Sequence, residues 1–320
     1  MTIVITGSEG FLGRSVVARL AADGHTVIAV DRLFHSGPVT PGVTHHQADL
    51  EDAALLLPPS WVAGQPFTLL HLAWDMRRYQ GYGIQAGQVR QFANLLDFWG
   101  GQGLQRLIVM GSAEEFGSRA GLLTESTEPQ LPLSPYGWAK RAARDLAASW
   151  SARAGHSVVW LRPFIMYGPG QEGDMVIPFA LESAGLKKQA QMTDGLQQRD
   201  FVFIDDVVDA VVRAALWTGD GFRAFNLGRG EGVRVADIVM AIARHYQAEA
   251  LFELGARSRR PGEPDIQVAD ISEARNVLGW NPAVDWREGL RLIFEEEEKR
   301  RRRGGGEEID NGRWARGGER

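Results

Sequence analysis

Two residues able to move a proton stand four positions apart in the segment SPYGWAK, residues 134–140. Tyr136 and Lys140 are of scarce types here, because the chain contains only 5 Tyr and 4 Lys. On a helix their side chains would lie on one face. A free tyrosine has a pKa of about 10, and a nearby ammonium group favours the phenolate, which would make Tyr136 a base. A surface pair in which the lysine stem covers the ring is the alternative.

A second group of residues has the spacing of a phosphate-binding turn. The segment TGSEGFLG, residues 6–13, directly follows an apolar run and opens a helix-like stretch. Glycine permits a tight turn and lets a pyrophosphate approach the backbone and the positive helix N-terminus. A glycine-rich turn without a ligand has the same spacing, but the surrounding strand and helix pattern favours dinucleotide binding. The predicted contacts are Gly7, Gly10, Phe11, Leu12 and Gly13.

The residue that ends the second apolar run bears on which dinucleotide binds. Asp31 occupies this position, and Arg32 follows it. A carboxylate here can accept hydrogen bonds from the adenosine ribose hydroxyls and would repel a 2′-phosphate, which favours NAD over NADP. Arg32 could instead partner such a phosphate, so NADP stays open as the alternative.

These residues need a scaffold that brings them together. Five runs are apolar nearly throughout, as in strands buried on both faces of a parallel sheet: TIVIT, TVIAVD, TLLHLAW, RLIVMGS and VVWLRPF. Segments long enough for crossover helices lie between them, including QVRQFANLLDFWGG and YGWAKRAARDLAASWSARAG. The repeated strand–helix–strand order predicts an α/β fold with a Rossmann-like, doubly wound parallel sheet.

The pattern becomes irregular after about residue 165, where Gly, Pro and polar residues increase. We predict an NAD(P)-binding Rossmann domain over residues 1–165, to which segments around residues 200–228 return. Residues 166–298 are predicted to form mainly a smaller C-terminal, substrate-binding domain. Residues 299–320 carry charge runs and glycines, which predicts a disordered tail after the frayed end of a helix.

Composition excludes several classes of protein. The 320 residues are 44% hydrophobic and 23% charged, which is ordinary for a soluble globular protein, and the net charge of -5 argues against nucleic-acid or anionic-membrane binding. Cysteine is absent and the seven His are scattered, with His45-His46 the only adjacent pair, so no metal site is predicted. Neither a signal peptide nor a membrane-spanning run is evident, so a cytoplasmic location is expected.

Several ordered motifs between about residues 2 and 295 together resemble the extended short-chain dehydrogenase/reductases of the nucleotide-sugar epimerase/dehydratase type. They are TGSEGFLG, ADL, HLAW, GSAEEFG, YGWAK, RPFIMYGPG, RDFVFIDDVVDA, FNLGRGEGVRVADIV, RRPGEPD and ADISEARNVLGWNP. The resemblance implies an NAD-dependent enzyme and a nucleoside-diphosphate sugar as substrate. It also implies a homodimer whose four-helix interface contains QVRQFANLLDFW and YGWAKRAARDLAASW.

The resemblance implies a role for each matching position. Tyr136 matches the catalytic acid/base, Ser112 the hydroxyl that hydrogen-bonds the reacting sugar oxygen, and Lys140 the residue that holds the nicotinamide ribose. Arg199 and Arg260 match arginines that grip the substrate's phosphates, for which a guanidinium fork is suited. Surface ion pairing is the alternative for both arginines. Further implied cofactor contacts, at the adenine, the groove wall and the carboxamide, are Asp49, Leu50, Leu72, Ala73 and the backbone near Pro163.

Four departures from the family pattern bear on the reaction. Ala113 and Glu114 follow the matched serine, so Glu114 could remove a proton from C5 as in dehydratases, but an acidic partner is missing. Ile165 stands where many epimerases carry an Asn that touches the substrate phosphates. Gln88 stands where an Asn is common. Trp74 replaces a small residue, so it would narrow the sugar pocket, as in sugar 4-ketoreductases, or simply fill core space.

The leading prediction is an NAD-dependent nucleotide-sugar 4-epimerase, which oxidises C4 to a transient 4-keto sugar and returns the hydride to its other face. A 4-keto-sugar reductase and a 4,6-dehydratase use the same Ser–Tyr–Lys groups and stay open as alternatives. A non-catalytic dinucleotide-sensing protein on the same fold is a further alternative, since fold does not fix function. The presence of both Tyr136 and Lys140 favours an enzyme.

Overall fold

A computed structural model describes residues 1–34, 40–52 and 66–304 of the chain. The strands of these ranges, in chain order, are β1 (Thr2–Thr6), β2 (Thr26–Asp31), β3 (Val43–Gln47), β4 (Phe67–His71), β5 (Leu104–Met110), β6 (Gly121–Leu123), β7 (Ser157–Pro163), β8 (Ile165–Tyr167), β9 (Ala190–Met192), β10 (Gln198–Arg199), β11 (Phe201–Phe203), β12 (Phe222–Leu227), β13 (Val233–Arg234), β14 (Phe252–Leu254) and β15 (Ile266–Ala269). The α-helices are α1 (Phe11–Ala22), α2 (Tyr82–Trp99), α3 (Pro135–Ala154), α4 (Val176–Gly185), α5 (Ile204–Leu216), α6 (Val235–His245), α7 (Ser272–Leu278) and α8 (Trp286–Gly304).

A seven-stranded parallel sheet forms the centre, in the order β12-β7-β5-β4-β1-β2-β3. Its strands are buried on both faces, so alternate residues enter different cores. In β1, Ile3 and Ile5 pack with α1 and α5, whereas Val4 packs with Phe92 and Trp99 of α2. Helices therefore cover both faces, which confirms the predicted Rossmann-like, doubly wound fold.

Smaller sheets accompany the central one. A four-stranded sheet has the order β13-β10-β15-β6, and two further pairs join β11 with β8 and β14 with β9. Strand β12 instead pairs with β7 of the central sheet, although it lies late in the sequence. The domain boundaries at residues 165 and 298 stay predictions.

The ends of the chain and two of its elements differ from the sequence-based expectations. Helix α8 continues to Gly304, beyond the predicted start of the tail at residue 299, and residues 305–320 lie outside the described ranges. Helix α2 begins at Tyr82, six residues before the predicted segment. Strand β3, which contains His45 and His46, was not predicted, because only its first residue, Val43, is buried.

Across the described ranges, no helix combines the length and apolar character that crossing a membrane requires. The same ranges contain no cluster of three or more His, Cys, Asp or Glu side chains arranged to hold a metal ion. The cytoplasmic location stays a prediction.

Parallel pairing determines where the chemistry can occur. Because the strands of the central sheet run in one direction, the residues that follow them meet at a single edge. The glycine turn follows β1, Asp31 ends β2, Leu72 follows β4, and Pro163 ends β7. Segments that are distant in sequence therefore reach one place.

Candidate active site

A cavity of about 1540 Å³ lies at this edge of the central sheet, between it and the smaller sheets. Every residue that the sequence predicted for catalysis, cofactor or substrate binding lines it. These residues are Gly7, Gly10, Phe11, Leu12, Gly13, Asp31, Arg32, Asp49, Leu50, Leu72, Ala73, Trp74, Ser112, Glu114, Tyr136, Lys140, Pro163, Arg199 and Arg260. Sharing one cavity makes a joint function geometrically feasible, while the role of each residue stays a prediction.

The glycine turn has the close backbone packing that only glycine allows. Gly7 has a φ of +74°, and a Cβ on it would lie 2.6 Å from the backbone N of Ala73. A Cβ on Gly13 would lie 2.1 Å from the carbonyl oxygen of Gly7. Helix α1 begins at Phe11, within this segment, and its N-cap, Gly10, supplies no side-chain hydrogen bond. Its first N–H groups can therefore serve a pyrophosphate, so the turn fits a dinucleotide.

Asp31 is held at the end of β2 by two backbone donors. Its Oδ2 accepts a hydrogen bond from Glu9 N at 2.9 Å, and its Oδ1 accepts one from Arg32 N at 2.7 Å. Each carboxylate oxygen has a second lone pair available for a ribose hydroxyl. The side chain of Arg32 is exposed beside it. The fixed carboxylate of Asp31 is compatible with the predicted contact to an adenosine ribose, which stays a prediction.

The two residues of SPYGWAK stand on one helix, as their spacing predicts. Ser134 caps α3 by accepting a hydrogen bond from Gly137 N at 2.9 Å, and Pro135 occupies the first turn, where no backbone N–H is needed. Tyr136 is 4% exposed and Lys140 is 3% exposed. The alternative of a surface pair is therefore wrong.

Burial changes the pKa of both residues of this pair. Burial raises the pKa of Tyr136 to about 12, although the Arg78 guanidinium and a hydrogen bond with Ser112 oppose the rise. Lys140 Nζ donates to Met110 O at 2.8 Å and lies 3.7 Å from the centroid of the Trp74 ring, but 5.7 Å from that of Tyr136. Burial also lowers the pKa of Lys140 to about 7. Burial therefore outweighs the opposing effects of Arg78 and Ser112, while the predicted lowering of the Tyr136 pKa, which counted on a positive nicotinamide ring as well as the ammonium, stays a prediction.

Trp74 has polar contacts at both the N–H edge and the face of its indole ring. Its Nε1 donates to Oε1 of the buried Gln85 at 2.9 Å, while its face contacts the Lys140 ammonium in a cation–π interaction. Gln88, one helical turn along α2, accepts a hydrogen bond from Asp75 N at 3.0 Å. These two glutamines fix the segment after β4, so Trp74 does more than fill core space.

Ser112 lies where β5 gives way to a 3₁₀ helix, Ala113–Phe116. Its Oγ accepts a hydrogen bond from Glu114 N at 3.1 Å, and its backbone N donates to Glu115 Oε1 at 2.8 Å. Glu115 also accepts from Trp160 Nε1 at 2.9 Å and pairs with Arg162 at 3.0 Å. Glu115 is therefore a buried carboxylate that anchors the serine.

Both oxygens of Glu114 are engaged, unlike those of a free general base. Oε1 pairs with Arg78 Nη1 at 2.6 Å, and Oε2 accepts a hydrogen bond from Ser134 Oγ at 2.5 Å. Glu114 thus links the loop after β4 to the start of α3.

The two predicted phosphate-binding arginines, Arg199 and Arg260, lie beside one carboxylate, that of Glu263. Arg199 pairs with Glu263 at 2.8 Å, and the backbone N of Arg260 donates to the same carboxylate at 3.4 Å. The Arg260 guanidinium contacts the Tyr79 ring at 4.0 Å and hydrogen-bonds its hydroxyl. Arg199 is mostly buried in an ion pair, so the alternative of surface pairing does not describe it.

Sequence reasoning missed three residues that hydrogen-bond or ion-pair with the predicted site residues. Arg78 and Glu115 carry no local signal, because their charged partners lie in distant segments. Gln85 is one of several glutamines after Trp74, and nothing in the sequence marks it as the partner of the indole. Charges beside the predicted serine point to the Glu114–Glu115 doublet, but not to which of the two is buried.

Comparison with known sequences identifies the family. The sequence model described as "NAD dependent epimerase/dehydratase family" matches residues 3–228. The chain belongs to this family. As a member of the NAD-dependent epimerase/dehydratase family it is an enzyme that uses NAD, which confirms the predicted class and cofactor.

Individual members of the epimerase/dehydratase family resemble the chain along most of its length. It is 30% identical to a UDP-glucose 4-epimerase of Mycolicibacterium smegmatis, covering 91% of this chain and 96% of the relative. It is 27% identical to a UDP-glucose 4-epimerase of Lacticaseibacillus casei, covering 89% and 93%. The solved structure "MoeE5 in complex with UDP-glucuronic acid and NAD" has a TM-score of 0.82 and 31% identity, covering 94% of this chain and 100% of that one.

Proposed function

We propose that the protein is a nucleoside-diphosphate-sugar 4-epimerase. The observation that carries the proposal is the presence of Ser112, Tyr136 and Lys140 in one cavity with the glycine turn. The similar UDP-sugar 4-epimerases support it. UDP-hexoses are therefore the first substrates to test.

The proposed mechanism assigns a task to each residue. Tyr136 takes the proton of the C4 hydroxyl as hydride leaves the same carbon. After the 4-keto sugar has rotated to present its other face, Tyr136 returns the proton to the C4 oxygen. Ser112 donates a hydrogen bond to the C4 oxygen while its charge changes. The glycine turn, Asp31 and Lys140 would hold NAD, which when bound would accept the hydride and return it. Arg199 and Arg260 bind the diphosphate through their guanidinium groups.

The contacts of Glu114 favour epimerisation over 4,6-dehydration. A dehydratase needs a carboxylate free to remove the C5 proton. In this chain the Glu114 carboxylate is held by Arg78 and Ser134, and Ala113 offers no acidic partner. Epimerisation needs no C5 base, so the engaged carboxylate is compatible with it.

A two-part experiment tests the proposal. The protein is purified without added cofactor and denatured, and any released nucleotide is identified by chromatography. Near-stoichiometric NAD or NADH is expected, because an epimerase regenerates its cofactor and can retain it. The undenatured enzyme is then given UDP-glucose or UDP-glucuronate without a reductant, and the C4 epimer is expected as the product.

Tyr136→Phe is the matched variant, because it removes one hydroxyl and keeps the buried ring. We expect the loss of at least about 10²-fold in kcat, in line with the removal of a general base, and unchanged NAD content. An enzyme that lacks bound nucleotide and consumes NADH with a 4-keto sugar would instead be a reductase. Unchanged turnover in Tyr136→Phe would refute the catalytic assignment.

We further propose a homodimer formed through the outer faces of α2 and α3. Tyr82 is 58% exposed and Phe98 is 39% exposed on α2. Tyr82 also contacts the Trp138 ring of α3, at 5.7 Å between centroids. The Tyr82 and Trp138 rings form an apolar patch at the start of both helices, which a second copy would cover.

A further inference from the structure

Arg78 contacts Tyr136 directly at two points and is linked to the start of its helix through Glu114. Its carbonyl oxygen accepts a hydrogen bond from Tyr136 N at 3.3 Å. Its guanidinium carbon lies 5.0 Å from the centroid of the Tyr136 ring, within the range of a cation–π interaction. Its Nη1 pairs with Glu114, which hydrogen-bonds the N-cap of the tyrosine's own helix. The loop after β4 is thereby attached to the start of α3 at the proton-transfer residue.

Of the two cations near the ring, Arg78 is the closer and the more permanently charged. The Lys140 Nζ lies 5.7 Å from the Tyr136 centroid and is directed to Met110 O and the Trp74 face. Burial brings the pKa of Lys140 to about 7, so its charge is partly lost at neutral pH. A guanidinium group keeps its charge throughout this range. Arg78 can therefore act on the tyrosine when the lysine is neutral.

The charged groups that face Tyr136 come from three elements. Lys140 lies on its own helix, Arg78 on the loop after β4, and Glu114 and Glu115 on the 3₁₀ helix. Asp174, Tyr79 and Glu114 also act on the charge of Arg78. The two glutamates raise the pKa of Tyr136 and Arg78 lowers it. Arg78 thus offsets the carboxylate to which it is bound.

We propose that Arg78 is a positioning residue that holds a permanent positive charge over the Tyr136 ring and stabilises its phenolate during proton transfer. The inference rests on the proposed function, because it names a residue that acts through the proposed base. Glu114 is the anchor that keeps the guanidinium in place, which gives this carboxylate a use other than removal of a C5 proton.

Three variants of the NAD-bound enzyme test this role: Arg78→Met, Arg78→Gln and Arg78→Lys. Ionisation of Tyr136 is followed by tyrosinate absorbance, and the titration of the same variant carrying Tyr136→Phe is subtracted each time, because Arg78 also acts on the pKa of Tyr79. We expect Arg78→Met and Arg78→Gln to raise the midpoint by about one pH unit, with Arg78→Lys close to wild type. For each pH unit by which the midpoint rises, the phenolate fraction at pH 7 falls about tenfold, so kcat of Arg78→Met should fall by up to about tenfold.

The midpoint shift of the two uncharged Arg78 variants decides the proposal. A midpoint equal to wild type in Arg78→Met would overturn it. Where Arg78→Met does not fold, the midpoint of Arg78→Gln decides in the same way. The titration needs no sugar, so it stands even where no epimerase activity is found, and its failure is distinguishable from failure of the proposed function. A merely structural role would reduce kcat without moving the midpoint or being rescued by lysine.

Discussion

Asp31 is the residue that most directly bears on the choice of dinucleotide. Its two oxygens accept hydrogen bonds from Glu9 N and Arg32 N, so the carboxylate has a fixed position at the end of β2. A fixed negative charge repels a 2′-phosphate more effectively than a mobile one, because it cannot turn away. The side chain of the neighbouring Arg32 is exposed, and Arg32 contacts Asp31 through its backbone N.

Replacing Asp31 by Asn should shift the cofactor preference towards NADP. The amide is nearly isosteric but uncharged, so the ratio of the NAD and NADP dissociation constants should change by about tenfold or more. Calorimetric titration of nucleotide-free enzyme with each cofactor measures this ratio. Asp97→Asn, on the exposed face of α2, is the control because it removes a carboxylate that does not line the cavity. Equal ratios in both variants would contradict the assignment.

At the residue scale, the sequence predicted those site residues that belong to a short local motif. The spacing of Tyr136 and Lys140 and that of the glycines are local patterns. Arg78 is different, because Arg77 beside it pairs with Asp75 and is more exposed, and nothing in MRRY tells which arginine turns inward. The effect of burial on the pKa of Tyr136 was equally invisible, since it depends on the packing of the whole site.

The 3₁₀ helix that begins after Ser112 depends on a buried ion pair. Glu115 is 1% exposed and Arg162, on β7, is 2% exposed, and Arg162 also donates to Asn226 of β12 at 3.1 Å. The pair therefore ties the serine to two strands of the central sheet. Removing one partner of such a pair leaves a charge without compensation in the interior.

Glu115→Gln should lower the free energy of unfolding by roughly 3–5 kcal/mol, because Arg162 would then be buried without a counter-charge. Asp23→Asn is the control, since it breaks the exposed pair with Arg19 and should cost less than about 1 kcal/mol. Urea unfolding of both variants gives the comparison. Similar losses in the two would mean that the buried pair stabilises no more than a surface one.

Helices and strands were predictable from the sequence where burial requires an unbroken run of apolar residues. β1 and β2 match the segments TIVIT and TVIAVD residue for residue, because every position after the first is at least partly buried. β3 was missed since it lies at the edge of the sheet and is mostly polar. The first turns of α2, with Gly83 and Gly87, show no clear helical periodicity, and packing against the sheet overrides their weak propensity.

At the scale of the whole molecule, the parallel sheet collects residues from most of the chain into one cavity. This gathering was predictable, because strands of one direction bring their following loops to one edge. The same edge of the sheet holds a buried titratable group whose ionisation bears on the stability of the fold. This group is His71, at the end of β4 and next to Leu72, which lines the cavity. It is 3% exposed, hydrogen-bonds Thr6 Oγ1 at 2.9 Å and stacks on Phe92.

We expect His71 to make the fold acid-sensitive. Burial, assisted by the Lys140 ammonium, lowers the pKa of His71 to about 3 from 6.5. Above pH 6.5 the imidazole is neutral in both states, so its contribution to stability is fully present. As the pH falls from 6.5 towards 3, the unfolded chain takes up a proton that the folded one refuses. The free energy of unfolding should therefore decrease by about 1.4 kcal/mol per pH unit through this group.

Urea unfolding between pH 4.5 and pH 7 can isolate this contribution by comparing wild type with His71→Asn. The variant should be less stable at pH 7, because it loses the stacking on Phe92, but its stability should fall less steeply with acid. The expected difference in slope is about 1.4 kcal/mol per pH unit, since carboxylates titrate in both proteins and cancel. His45→Asn, which removes an exposed imidazole from β3, serves as the control. Equal slopes for wild type and His71→Asn would show that His71 takes up its proton in the folded state.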